Sequence, residues 1–160
     1  MSAAGSAARA DEGWKELFDG KTLTGWITAP GAYTAENGSI VCVQGSKGNL
    51  LSEKEYENFQ LNFDFLLTPG ANNGLGIRCP LKNEGNLHIE GTELQILDDS
   101  HEKYKTIKPY QFHGSVYGIV AAKPGHLKPV GQWNHEEVTV QGRRVKVVLN
   151  GTTIVDADLD

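Results

Sequence analysis

Alternation of apolar and polar residues at every second position dominates this chain, and helical periodicity is nearly absent. From Tyr56 to Leu67, Phe59, Leu61, Phe63, Phe65 and Leu67 fall on one side, with Gln60, Asn62 and Asp64 on the other. Successive side chains of a strand point to opposite faces, so this pattern builds a strand with one buried and one wet face. No window of a dozen residues carries apolar side chains at three-to-four spacing. Further strands are expected at 39–43, 49–52, 114–121, 136–140 and 145–149. Asn150-Gly151, between VKVVL and TTIV, marks a two-residue hairpin, because both positions tolerate positive φ. Asp19-Gly20, Asn37-Gly38 and Pro69-Gly70 mark other turns. Short antiparallel strands with frequent Gly and Pro punctuation predict an all-β sandwich or barrel.

A chain of 160 residues is one domain by size and long enough to bury a core. A net charge of −5 without a Lys/Arg cluster argues against a nucleic-acid surface. No apolar run is long enough to span a bilayer. Cys42 and Cys79 both lie in strand-like apolar runs, which favours buried free thiols over a disulfide. Neither has the spacing of a structural zinc site. The first twelve residues, MSAAGSAARADE, are small and polar and read as a disordered tail, leaving a domain over residues 13–160. Ala-Arg-Ala before Asp11 resembles a signal-peptidase site without the apolar segment that should precede it, so both a flexible tail and a remnant of an exported protein remain open.

The stretch from Asn72 to Asp99 carries an unusual polar set. In ANNGLGIRCP, Arg78 shares strand parity with Gly74 and Gly76. In GTELQILDD, Glu93 and Gln95 share one face while Leu94 and Ile96 point the other way. An arginine beside two glycines, next to an acid and an amide, describes the floor of a polar ligand site with room above it. The long loops at 80–91 and 98–113 flank these two strands, and loops of that length in a compact domain often carry function.

Eight phrases follow in order: LFDGKTLTGW, NGSIV, YENFQLNFDF, NNGLGIR, GTELQILDD, GSVYG, KPVGQWN and LNGTTIVD. Together they resemble the 3-keto-disaccharide hydrolase domain family over Trp14 to Asp158. The resemblance implies a concanavalin A-like jelly roll of two antiparallel sheets, one of them concave and able to hold a sugar. It implies action on glycosides whose C3 hydroxyl has been oxidised to a ketone, and a periplasmic or extracellular setting. Family members usually continue past the LNG hairpin with a G-x-I-x-L-Q segment and an F-R-N-I-like strand, whereas this sequence stops at Asp160. A jelly roll without its closing strands is expected to be marginally stable or self-associating.

A ketone at C3 makes the C2 proton acidic, so a base at C2 can start elimination of the C1 substituent, and water can then add. That route needs a base, donors or a cation at the enolate oxygen, and groups that hold the ring. Glu93 is the candidate base, Arg78 the candidate cation and His113 a further acid or base. Gln95, Asn73 and Asp98 are candidates for sugar hydroxyls, and Tyr117 and Trp133 for ring surfaces. Each has a structural alternative. Glu93 and Arg78 would serve as well as an ion pair, Gln95 as a cross-strand amide, and Asn72 and Asn73 as turn formers. One of Asp98 and Asp99 would cap its own loop, His113 would be a plain exposed loop residue, and the aromatics would be core. His88 and Glu90 are two potential metal ligands, too few for a metal site, and no cofactor is expected. The partner expected is a small-molecule sugar. A non-catalytic lectin-like module and a protein-interaction domain are the competing readings, because fold alone does not give function. The convergence of acid, amide and arginine favours an enzyme.

Overall fold

A computed structural model describes residues 13–79 and 91–159. The tail and most of the 80–91 loop, with His88 and Glu90, lie outside the described residues. The fold is all-β, built of antiparallel sheets, and its only helical pieces among the described residues are two three-residue 3-10 turns. The chain divides into two compact units, one ending at Lys54 and one starting at Glu55.

In the first unit, β1 (Trp26–Thr28) pairs with β4 (Leu50–Ser52), and β2 (Tyr33–Glu36) forms a hairpin with β3 (Ser39–Cys42). Trp26 Nε1 donates to Leu17 O at 2.8 Å, and Asp19 accepts the backbone N–H groups of Lys21 and Thr22. The turn expected at Asp19-Gly20 is therefore closed by its own carboxylate. Neither cysteine is buried: Cys42 is exposed at the end of its strand, Cys79 is partly exposed, and no disulfide joins them. Apolar neighbours in sequence misplace them, because β3 is a short two-stranded ribbon whose end is wet.

The second unit holds β5 (Phe59–Leu66), β6 (Asn72–Ile77), β7 (Thr92–Leu97), β8 (Trp133–Gln141), β9 (Arg144–Leu149) and β10 (Thr152–Asp158). One sheet has the order β10-β9-β8-β5, and β6 pairs with β7 in another. Alternation works as expected: Phe65, Val138, Val140, Val145, Val147 and Leu149 enter the core from the four-stranded sheet. Ile77 and Leu94 enter the same core from β6 and β7. The two sheets therefore share one apolar interior. Asn150 and Gly151, at φ 49° and 83°, make the β9–β10 turn that the sequence predicts.

The strand expected at 114–121 is not continuous. Residues 114–117 run antiparallel to β7 through a ladder: Tyr117 N to Glu93 O, Gln95 N to Ser115 O and Gly114 N to Gln95 O. The chain then folds back, with Ile119 N and Val120 N both donating to Val116 O. Gly114 and Gly118 adopt φ of 75° and 76°, which ends the extended run at each side.

Candidate functional site

The register of β6 and β7 places Gly74 opposite Gln95 and Gly76 opposite Glu93. Leu94 and Val116 form a bridge and are both fully buried, so the opposite face of these strands carries Glu93, Gln95, Ser115 and Tyr117. Glu93 lies across the strand pair with its carboxylate over Gly74. A Cβ built on Gly74 would meet Glu93 Oε1 and come within 2.6 Å of Cγ and Cδ. Gly74 and Gly76 do lie on the face of Glu93 and Gln95, but the space above Gly74, expected to be open, is filled by the acid. Gln95 is buried, and its Nε2 donates to Asn72 Oδ1 at 3.0 Å. Tyr117, opposite Glu93 on the next strand, accepts at its hydroxyl from Gln111 Nε2 at 2.7 Å. The outcome is an acid lying on side-chain-free backbone, flanked by an anchored amide and a phenol.

The remaining expected residues are placed differently. Arg78 does not share the face of Gly74 and Gly76. Strand β6 ends at Ile77, and Arg78 takes φ of 55°, which breaks the alternation. Arg78 instead lines an open cleft of about 360 Å³ with Glu57, Asn58, Gly142 and Arg143, a set that does not include Glu93 or Gln95. Asn73 is exposed, and its Oδ1 accepts from Gly74 N. Trp133 is 51% exposed on the outer face of the four-stranded sheet, opposite Leu66 in register. That face also carries the Asp64–His135 pair at 2.8 Å. It points away from the shared core in the direction opposite to Glu93.

Asp98 is the capping member of the aspartate pair. Its Oδ2 accepts Gly70 N at 2.8 Å, and its Oδ1 accepts Ser100 N and Ser100 Oγ. Burial pushes its carboxyl up, but the bonds from Ser100 and Gly70, with His101 nearby, hold it below the usual carboxylate range. Asp99 accepts His113 N at 2.9 Å, and burial, only partly offset by that bond, pushes it above its ordinary value.

His113 is buried rather than exposed, and both ring nitrogens are engaged. Leu97 N–H donates to Nδ1 at 3.2 Å, so the ring proton sits on Nε2 and faces Glu136 Oε2 at 3.0 Å. Phe65 stacks on the ring with centroids 5.0 Å apart. Glu136 is fully buried, and its Oε1 has no partner among the described residues. Sequence reasoning missed this acid, although the signal was present: Asn134 and Glu136 are in phase with Val138 and Val140, hence inward.

A profile of the 3-keto-alpha-glucoside-1,2-lyase-like domain family matches residues 13–160. The chain belongs to that family. A 3-keto-disaccharide hydrolase from Bacteroides thetaiotaomicron is 29% identical over 153 residues, covering 81% of this chain and 53% of that protein. The chain thus spans about half the length of the curated relative. A crystal structure of a candidate glycosyl hydrolase from Parabacteroides distasonis superposes with a TM-score of 0.77 at 32% identity, covering 91% of this chain and 72% of the other. A second candidate glycosyl hydrolase from the same organism gives 0.76 at 26% identity, covering 89% and 70%. A third, at 19% identity and a TM-score of 0.63 over 86% of this chain and 62% of the other, shows the shared fold.

Proposed function

We propose that the chain cleaves glycosides bearing a ketone at C3, with Glu93 as the base that removes the C2 proton. The observation that carries this reading is the Glu93 carboxylate lying over Gly74, in a chain of this family. A ligand ring can approach an acid that rests on bare backbone more closely than one hemmed in by side chains. Glu93 is partly buried, and its neighbours on that face, Gln95 and Tyr117, are themselves held by Asn72 and Gln111.

In the proposed reaction, Glu93 accepts the C2 proton and the C–H electron pair forms the C2–C3 enolate. As the ketone re-forms, that pair moves to C1–C2 and the C1–O bond breaks. The leaving oxygen takes the proton that Glu93 holds. The products are an alcohol and a 3-keto sugar unsaturated between C1 and C2. Water then adds its oxygen at C1 and a proton at C2, so the net change is hydrolysis. Tyr117 is the proposed donor to the enolate oxygen, and Gln95 with Asn72 the proposed hydroxyl contacts; Asn73, in phase with Leu75 and Ile77, is left out. Arg78 and His113 take no step, since one lines another cleft and the other has both ring nitrogens committed.

The test is incubation with a 3-keto-glucoside and its C2-deuterated form. Release of the aglycone, slowed by deuterium, is expected. Release at equal rates from both forms would remove the C2 step, and no release from any 3-keto-glycoside would remove the activity. The half-exposed Trp133 supports a second reading, a lectin-like surface on the outer sheet face. Binding of unoxidised sugars with no cleavage of oxidised ones would favour it.

A further inference from the structure

The ladder between β7 and residues 113–117 ends in an unusual way. After Tyr117 N to Glu93 O, Gln95 N to Ser115 O and Gly114 N to Gln95 O, the next donor is Leu97 N–H. A backbone carbonyl would ordinarily receive it. Here the chain turns at Gly114, and the His113 ring takes the carbonyl's place through Nδ1. The turn favours glycine, because Gly114 has φ of 75° and a Cβ there would displace Ile154 Cδ1. The last hydrogen bond of the ladder therefore depends on where an imidazole points, and Glu136 fixes that from β8 in the other sheet.

We infer that Glu136 is a positioning residue, which sets the register of residues 113–117 against β7 and so aligns Glu93, Gln95 and Tyr117. The inference rests on the reading of that face as the active site. A fully buried carboxylate with one oxygen unpartnered among the described residues is costly to desolvate, which points to a role beyond filling the core. What a leucine cannot do is accept the Nε2–H and hold the ring in plane for Leu97.

The experiment compares Glu136→Leu and Glu136→Gln with wild type in three measurements: melting temperature, nuclear magnetic resonance of the His113 ring and Gln95 side-chain amide, and turnover of a 3-keto-glucoside. In Glu136→Leu, a lower melting temperature is expected, because the buried His113 Nε2–H loses its acceptor, with shifted His113 and Gln95 resonances in the folded protein. Its kcat should fall about tenfold to a hundredfold, with KM little changed. Glu136→Gln keeps an acceptor for the ring and should restore both the resonances and kcat. Unchanged Gln95 resonances and full kcat in the leucine variant would overturn the inference. If that variant does not fold, Glu136→Gln decides: wild-type resonances with wild-type kcat support it, and lost kcat with Gln95 unmoved sinks it. The resonances respond whether or not the wild type cleaves the sugar, so failure of the activity and failure of this inference are separate results.

Discussion

Gly74→Ala tests the site with a single methyl group. Its Cβ would sit 2.6 Å from Cγ and Cδ of Glu93 and nearer still to Oε1, where ordinary contact is 3.4–4 Å. The carboxyl must therefore retreat by about 1 Å. A misplacement of that size in a reacting group costs on the order of a hundredfold in rate, or about 2.7 kcal/mol in the barrier. The fold should hardly notice, because the atoms in the way belong to the far end of a flexible side chain. Alanine in a strand also recovers roughly 0.5–1 kcal/mol of the conformational entropy that glycine forfeits. The expected outcome is a loss of kcat on a 3-keto-glucoside of about two orders of magnitude. The melting temperature should stay level or rise by a few degrees, about what a gain under 1 kcal/mol gives at this size. Full activity in a folded Gly74→Ala protein would refute the reasoning, since the acid would then be working from some other position.

Other outcomes follow from the same geometry. Glu93→Gln should abolish turnover while leaving binding of a 3-keto-glycoside largely intact, as measured by calorimetry; retained turnover would place the base elsewhere. Leu94→Asp should unfold the second unit, because it buries an unpaired charge at a fully buried core position, and circular dichroism would show it. Asp98, whose folded value is lowered, contributes stability that is present above its unfolded value near 3.8 and is lost as pH falls through the lower folded value. Asp98→Asn should therefore be less stable than wild type at neutral pH, with the gap closing in acid. Asp99 runs the other way: its folded value is raised, so its contribution is fully present below the unfolded value and is lost as pH rises through the folded one. Asp99→Asn should accordingly melt higher than wild type at neutral pH, with the advantage vanishing in acid.

Much of the scaffold was legible because burial on one face imposes period two, and β5, β8 and β9 carry that pattern without interruption. The pairing of Glu93 with Gln95 on one face followed from the same rule. Arg78 escaped it because alternation holds only while the backbone stays extended, and nothing in GIRCP shows that φ turns positive after Ile77. His113 escaped because its place depends on Gly114, Leu97 and Glu136, which are distant in sequence and meet only when the sheets close over the core. Tyr33–Glu36 and Trp26–Thr28 form strands too short to show a period. Glu136 was the avoidable miss, since a polar residue in phase with buried valines declares itself.

The contact between Gly74 and Glu93 also bears on how this lineage can change. A side chain at position 74 and a long acid at position 93 exclude each other in the present arrangement, so neither site drifts independently. A relative with alanine or serine at the first position must have shortened, moved or discarded the acid at the second. Conversely, a relative that keeps the glycine but has lost the acid retains an open hollow and, on the proposed reading, has lost its base. On the proposed reading, these two positions taken together would separate relatives that keep the cleaving activity from those that only hold sugar, before any of them is expressed.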